Sequence, residues 1–74
     1  MFPQLTPEER KVWYIDAVRG SLVINHGVTG KTADVAIKKY QLQDRLNRFP
    51  EIQMHYDTDD VADEIVKLGY LANS

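Results

Sequence analysis

If the stretch from Thr32 to Phe49 is helical, its apolar residues form two lines on opposite faces of the helix. At roughly 100° per residue the two lines lie about 180° apart. One line consists of Val35, Leu42, Leu46 and Phe49, and the other consists of Ala33, Ile37 and Tyr40. A helix that is apolar on two opposed sides has to lie between other elements. We therefore predict a central helix over residues 31–48, sandwiched between its neighbours.

A helix is also predicted before this stretch. Thr6, Pro7 and Glu9 have the spacing of a capping box with proline in the first turn, a pattern that favours a helix beginning at Pro7. Gly27 can supply the left-handed residue that closes such a helix. We place the first helix at residues 7–25, with Trp13, Ala17 and Ile24 along one of its apolar lines. Gly20 interrupts the pattern and allows a kink there.

A third helix is predicted over residues 58–68, because acidic residues fill its first turn and apolar residues recur every three or four positions. The expected fold is therefore all-α, a single domain of residues 1–74 with three helices. An alternative is a small α/β unit in which residues 22–24 and 52–56 are short strands beside the central helix. Residues 52–56 alternate between apolar and polar, which would also suit an extended connector.

Charge and cysteine content narrow the possible functions. The 74-residue chain has no cysteine and a net charge of −2, so disulfides and thiolate chemistry are excluded, and a reducing cytoplasm is the expected location. Residues 1–50 are weakly basic, whereas residues 51–74 are acidic. Dedicated nucleic-acid binders usually carry a larger positive surplus. No apolar run has the length of a membrane span, and no signal-peptide pattern precedes the first helix.

Four side chains on the central stretch form a predicted basic stripe at helical spacing. They are Lys38, Gln41, Arg45 and Arg48. The default interpretation of such a stripe is a solvated helix face. The functional alternative is an acidic protein surface or a phosphate backbone, because arginine binds carboxylates through paired hydrogen bonds. We add Trp13, Ile37 and Tyr40 to the predicted partner-binding set, because three helices cannot cover every apolar line of this chain.

A second hypothesis treats residues 33–49 as a helix-turn-helix-like segment. Its turn falls near Tyr40 to Leu42, and its second helix presents side-chain types that contact bases and phosphates. These side chains are Gln43, Arg45, Asn47 and Arg48. An uninterrupted helix accounts for the apolar lines without any turn, so this remains the alternative.

Catalytic and metal-binding patterns are not evident in the sequence. Gly30-Lys31-Thr32 resembles the end of a phosphate loop, but the glycine required five residues before Gly30 is replaced by Asn25. His26 and His55 are the only histidines and lack ligand spacing. We therefore expect no enzymatic activity, no cofactor and no metal.

The sequence favours a small non-enzymatic regulator that docks on a protein partner, with a homodimer as the simplest way to bury the surplus apolar surface. The first alternative is a DNA-binding transcriptional regulator that uses residues 33–49. A further alternative is a small structural subunit of a larger assembly.

Overall fold

The computed structural model describes residues 5–71, which form five α-helices and no strand. The helices are α1 (Pro7–His26), α2 (Gly30–Tyr40), α3 (Leu42–Arg48), α4 (Pro50–His55) and α5 (Thr58–Lys67). The prediction of an all-α fold is confirmed. The α/β alternative is wrong, because residues 22–24 lie inside α1 and residues 52–55 lie inside α4.

The first helix begins and ends where the local sequence predicts. The Thr6 hydroxyl accepts a hydrogen bond from the Glu9 amide at 3.1 Å, and the Glu9 carboxylate accepts one from the Thr6 amide at 2.8 Å. Because that backbone amide stabilises the ionised carboxylate, the pKa of Glu9 is lowered. At the other end, Gly27 adopts a left-handed conformation with φ 67° and donates to the Val23 carbonyl.

The predicted continuous helix over residues 31–48 is wrong, because the chain turns at Gln41. This residue has φ 63° and ψ 41°, so it closes α2 and opens α3 as a single left-handed residue. Its amide donates to the Lys38 carbonyl at 3.1 Å. In place of three helices with one sandwiched between two, the described chain therefore has a helix–turn–helix in its middle.

The turn explains the two opposed apolar lines. A straight helix would direct one line away from any core that buried the other, whereas a turn at Gln41 rotates α3 so that parts of both lines enter the same core. Ala33, Ile37 and Tyr40 are buried from α2, and Leu42 and Leu46 are buried from α3. The two ends of the first line stay outside the core, since Val35 and Phe49 are exposed.

The segment after Phe49 is a short helix, and the predicted extended connector over residues 52–56 is wrong. Pro50 occupies the first turn of α4, where its missing N–H and fixed φ suit a helix start. The alternation of residue types therefore does not correspond to alternating burial. Gln53 is buried and Ile52 is exposed.

The last helix closes as a Schellman motif. Gly69 has φ 86° and donates to the Val66 carbonyl at 3.0 Å, and the Tyr70 amide donates to the Ile65 carbonyl at 3.2 Å. The Tyr70 ring then packs edge-on against Tyr40, with 6.2 Å between ring centroids. The glycine therefore returns the chain towards the core.

One core joins α1, α2, α3 and α5, with α1 as its central element. The longest helix packs most extensively against α5 and α2 and also reaches α3. From α1 the core receives Tyr14, Val18 and Leu22. The buried Ser21 hydroxyl fixes α5 against α1 by donating to Asp59 at 2.7 Å. Because the buried side chains lie on one side of α1, its opposite side faces outward.

Candidate protein-interaction surfaces

One side of α1 carries an apolar line whose two large residues are exposed. We call this line the α1 stripe; it consists of Trp13, Ala17, Gly20 and Ile24. The Trp13 side chain is 62% exposed, and Ile24, at 81%, is the most exposed large apolar residue in the described chain. Ala17 and Gly20 lie between them and are half-buried. Large apolar side chains that stay this exposed on a rigid helix are typical of interaction surfaces.

Gly20 lies in the middle of the α1 stripe, and nothing in the fold requires a glycine there. Its φ is helical, and a Cβ atom added to it would meet no heavy atom within 4 Å. A glycine inside a helix lowers stability by about 0.5–1 kcal/mol relative to alanine. The helix does not stop at Gly20, since α1 continues to His26.

A shorter exposed apolar face lies on α4. Phe49, Ile52 and Tyr56 are each more than half exposed and follow one another at helical spacing. This face belongs to a helix of six residues. It therefore offers less rigid apolar surface than α1, whose stripe spans three turns of a 20-residue helix.

The turn between α2 and α3 forms an open concave surface whose lining residues are all polar or charged. It is lined by Lys38, Gln41, Gln43, Asp44, Asn47 and Arg48. This α2–α3 surface collects three of the four residues of the predicted basic stripe and three of the four predicted nucleic-acid contacts. Asp44 lies 3.2 Å from the guanidinium of Arg48 and partly neutralises it.

Arg45 does not line the α2–α3 surface, although the sequence places it both in the basic stripe and among the nucleic-acid contacts. Its guanidinium stacks on the Tyr40 ring at 4.3 Å, and its Nε donates to the Tyr40 carbonyl at 3.2 Å. The basic stripe is therefore not continuous, because the turn at Gln41 directs Arg45 to the other side of α3. Stacking of this kind fixes an arginine within the fold and leaves less of it for a partner.

Ile37 and Tyr40 are not available to a partner, and their predicted place in the partner-binding set is corrected. Both are buried in the core between α2 and its neighbours. The Tyr40 hydroxyl donates to the Glu64 carboxylate at 2.9 Å. Burial first, and this hydrogen bond second, raise the pKa of Tyr40 to about 12.

A small cleft lies beside Tyr40 and Arg45, with the carboxylates of Asp60 and Glu64 on its far side. Its volume is about 190 Å³, which is below the roughly 300–1,000 Å³ typical of small-molecule sites. Within residues 5–71, the amide nitrogen of Gln53 is buried beside this cleft without a hydrogen-bond partner. The cleft is therefore small for a substrate, and its volume would hold several water molecules or a single side chain.

The histidines lie at separate places. His26, at the end of α1, contacts Asp63 of α5 at 2.9 Å. His55 is exposed on α4. Within the described part of the chain, no three potential ligands gather into a metal-binding group.

Comparison with protein-family models, with curated proteins and with solved structures gives no match. Among residues 5–71, no helix is long and apolar enough to cross a membrane.

Sequence reasoning included Trp13 in the site but missed Ile24 and Gly20. The apolar line through Trp13, Ala17 and Ile24 is visible in the sequence, and Gly20 falls on it at the same helical spacing. What the sequence cannot supply is the direction in which that line faces. The burial of Tyr14 and Val18 decides which side of α1 faces outward, and the sequence does not show that burial.

Proposed function

We propose that this protein is a small non-enzymatic interaction module that docks on a protein surface through the α1 stripe. The observation that carries this proposal is the joint exposure of Trp13 and Ile24 on one side of the longest helix. The two side chains lie three turns apart on a rigid element, which is how a helix usually presents its anchors to a partner groove or helix.

The energetics of exposed aromatic groups support this choice of surface. Tryptophan is among the residues that most often dominate binding, because one side chain buries 150–250 Å² with few rotatable bonds. On the α1 stripe, small residues separate the two anchors, so a partner can approach the helix backbone closely between them. The α2–α3 surface is open and is lined by polar and charged side chains. Charged contacts at the rim of an interface contribute more to specificity than to affinity.

The direct experiment is a capture assay with matched variants. Tagged wild-type protein, a Trp13→Ala/Ile24→Ala variant and a Val12→Ala control are incubated with native extract, and the retained proteins are compared at low and high salt. Val12 is a suitable control because it lies on the same helix with the same 62% exposure but outside the α1 stripe. We expect wild type and control to retain the same partner at both salt concentrations, since apolar contacts are not screened.

The double variant should lose that partner by at least tenfold, because each anchor contributes roughly 1–2 kcal/mol or more. Circular dichroism and urea unfolding confirm that the variant remains folded. The proposal would be wrong if the double variant and the control retained the partner equally well.

A nucleic-acid-binding regulator is the second candidate, and the turn at Gln41 favours it. The turn gives α2 and α3 a helix–turn–helix connection and gathers Lys38, Asn47 and Arg48 on the α2–α3 surface. Against it stand the seven-residue length of α3 and the net charge of −2. Fluorescence polarisation with duplex DNA decides the matter: real binding weakens steeply with salt, and Lys38→Ala/Arg48→Ala lowers the salt slope by about two.

A role as a small structural subunit of an assembly stays a prediction, because such a subunit would use the same exposed surfaces. The cytoplasmic location suggested by the absence of cysteine stays a prediction as well.

A further inference from the structure

We infer that the occupant of the α1 stripe is a second copy of this chain, with the two α1 helices packed antiparallel about a two-fold axis between Ala17 and Gly20. This inference rests on the proposed function, because it uses the same surface and names the partner. It adds the register of the contact, which residue exposure alone does not give.

The spacing of the stripe is the same from either end. Trp13 lies four residues before Ala17, Gly20 lies three residues further, and Ile24 lies four residues after Gly20. A two-fold axis at the centre therefore places Trp13 opposite Ile24 of the second copy, and Ala17 opposite Gly20 of the second copy. An isologous interface requires this reciprocity, since each residue and its opposite number exchange places under the symmetry.

The sizes of the residues suit the same arrangement. The small residues form the centre, where two helices in contact come closest, and the large ones lie at the two ends. Small residues at a crossing point let helix backbones approach each other closely, with interaxial distances at the short end of about 8–10 Å. The large side chains of Trp13 and Ile24 then pack on either side of the point where the helices cross.

Gly20 is a second observation that points to close approach from outside. Within this chain, an added Cβ meets nothing within 4 Å and the backbone needs no positive φ. The glycine therefore destabilises the helix without any benefit to the described fold. A partner backbone lying against this position would explain why a side chain is absent there.

The contact is small, so the dimer should be weak. Residues 13–24 span about 17 Å of helix at a rise of roughly 1.5 Å per residue. One helix pair of this length buries less than the roughly 800 Å² per partner of a standard interface. We expect an equilibrium between monomer and dimer that shifts with protein concentration.

Isotope-filtered NMR tests the register directly. A sample mixed from isotopically labelled and unlabelled protein at millimolar concentration should show NOEs between the Trp13 ring and the Ile24 methyl groups. Within one helix these groups lie about 17 Å apart, which is beyond the reach of an NOE, so the signal has to come from two molecules. A parallel pair would instead give Trp13 to Trp13 contacts, and that result would overturn the inference.

Sedimentation of variants tests the same contact without NMR. Wild type and Val12→Ala should associate equally, and Ile24→Ala should weaken association by about tenfold. Gly20→Ala should raise the melting temperature of the dilute protein, yet also weaken association by about tenfold, because the new methyl groups separate the helices. Stronger association of Gly20→Ala would contradict the close approach.

Failure of this inference can be told apart from failure of the proposed function. If wild type stays monomeric up to millimolar concentration while the Trp13→Ala/Ile24→Ala variant still loses its partner from extract, the second copy is wrong as occupant and the docking surface is right. If wild type stays monomeric and the double variant loses nothing, both are wrong.

Discussion

Tyr40 shows how one side chain can match an apolar pattern and still serve the interior. Its ring is packed between Tyr70 and the guanidinium of Arg45, and its hydroxyl reaches Glu64 of α5. The sequence places Tyr40 on an apolar line but cannot say that α5 supplies an acceptor for its hydroxyl. Its assignment to a partner surface is therefore corrected by a contact between residues 24 positions apart.

The raised pKa of Tyr40 gives a measurable dependence of stability on pH. Its pKa is about 12 in the folded chain and 10 ordinarily. Between these values the unfolded chain loses the proton while the folded chain keeps it. The contribution of Tyr40 to the free energy of unfolding therefore has its full value below pH 10. It decreases as the pH rises towards 12.

Tyr40→Phe should reduce the loss of stability between pH 10 and 12, because it keeps the ring and removes the titrating hydroxyl. Part of the slope should remain, since burial also raises the pKa of Tyr14. Urea unfolding across this pH range compares the two proteins. Identical slopes for wild type and variant would show that the Tyr40 hydroxyl is not held in the interior as described.

The turn at Gln41 is the element that reconciles the two apolar lines, and it uses a residue poorly suited to its conformation. A left-handed backbone costs a residue with a Cβ roughly 1–2 kcal/mol, whereas glycine adopts it freely. Gln41 has φ 63°, the only positive value among the non-glycine residues described.

Gln41→Gly should therefore raise the free energy of unfolding by about 0.5–1 kcal/mol, after the entropy lost by glycine is subtracted from the strain relieved. Lys39→Gly is the matched control, two positions earlier and exposed inside α2, and it should lower stability by about 1 kcal/mol. Urea midpoints give both values. A continuous helix through residue 41 would make both substitutions destabilising.

Helix ends could be predicted from sequence because their chemistry is local. Thr6 and Glu9 cap each other three residues apart, and Gly27 and Gly69 lie where a left-handed closure is required. The break at Gln41 falls where the helix-turn-helix-like alternative places its turn, near Tyr40 to Leu42, but no glycine or proline marks it, so the sequence favours a continuous helix. Pro50 suits the start of α4, but the alternation of apolar and polar residues over 52–56 indicates a strand or an extended connector instead.

At the scale of the molecule, α1 organises the fold and supplies the proposed site. It buries Tyr14, Val18 and Leu22 on one side and leaves the α1 stripe on another. The all-α class and the surplus of apolar surface follow from the sequence, because both are sums over the chain. Which apolar lines stay exposed depends on how the helices pack. Ile37 is buried in the core, whereas Ile24 is exposed.

The central claim is that the isolated fold leaves the outer side of α1 open. Acrylamide quenching of Trp13, the only tryptophan of the chain, measures this most directly. In dilute solution, where self-association is negligible, the account predicts quenching close to that of the urea-unfolded protein, consistent with a side chain that is 62% exposed. Strong protection of Trp13 in the dilute folded protein would mean that the chain already covers this surface, and would contradict the account.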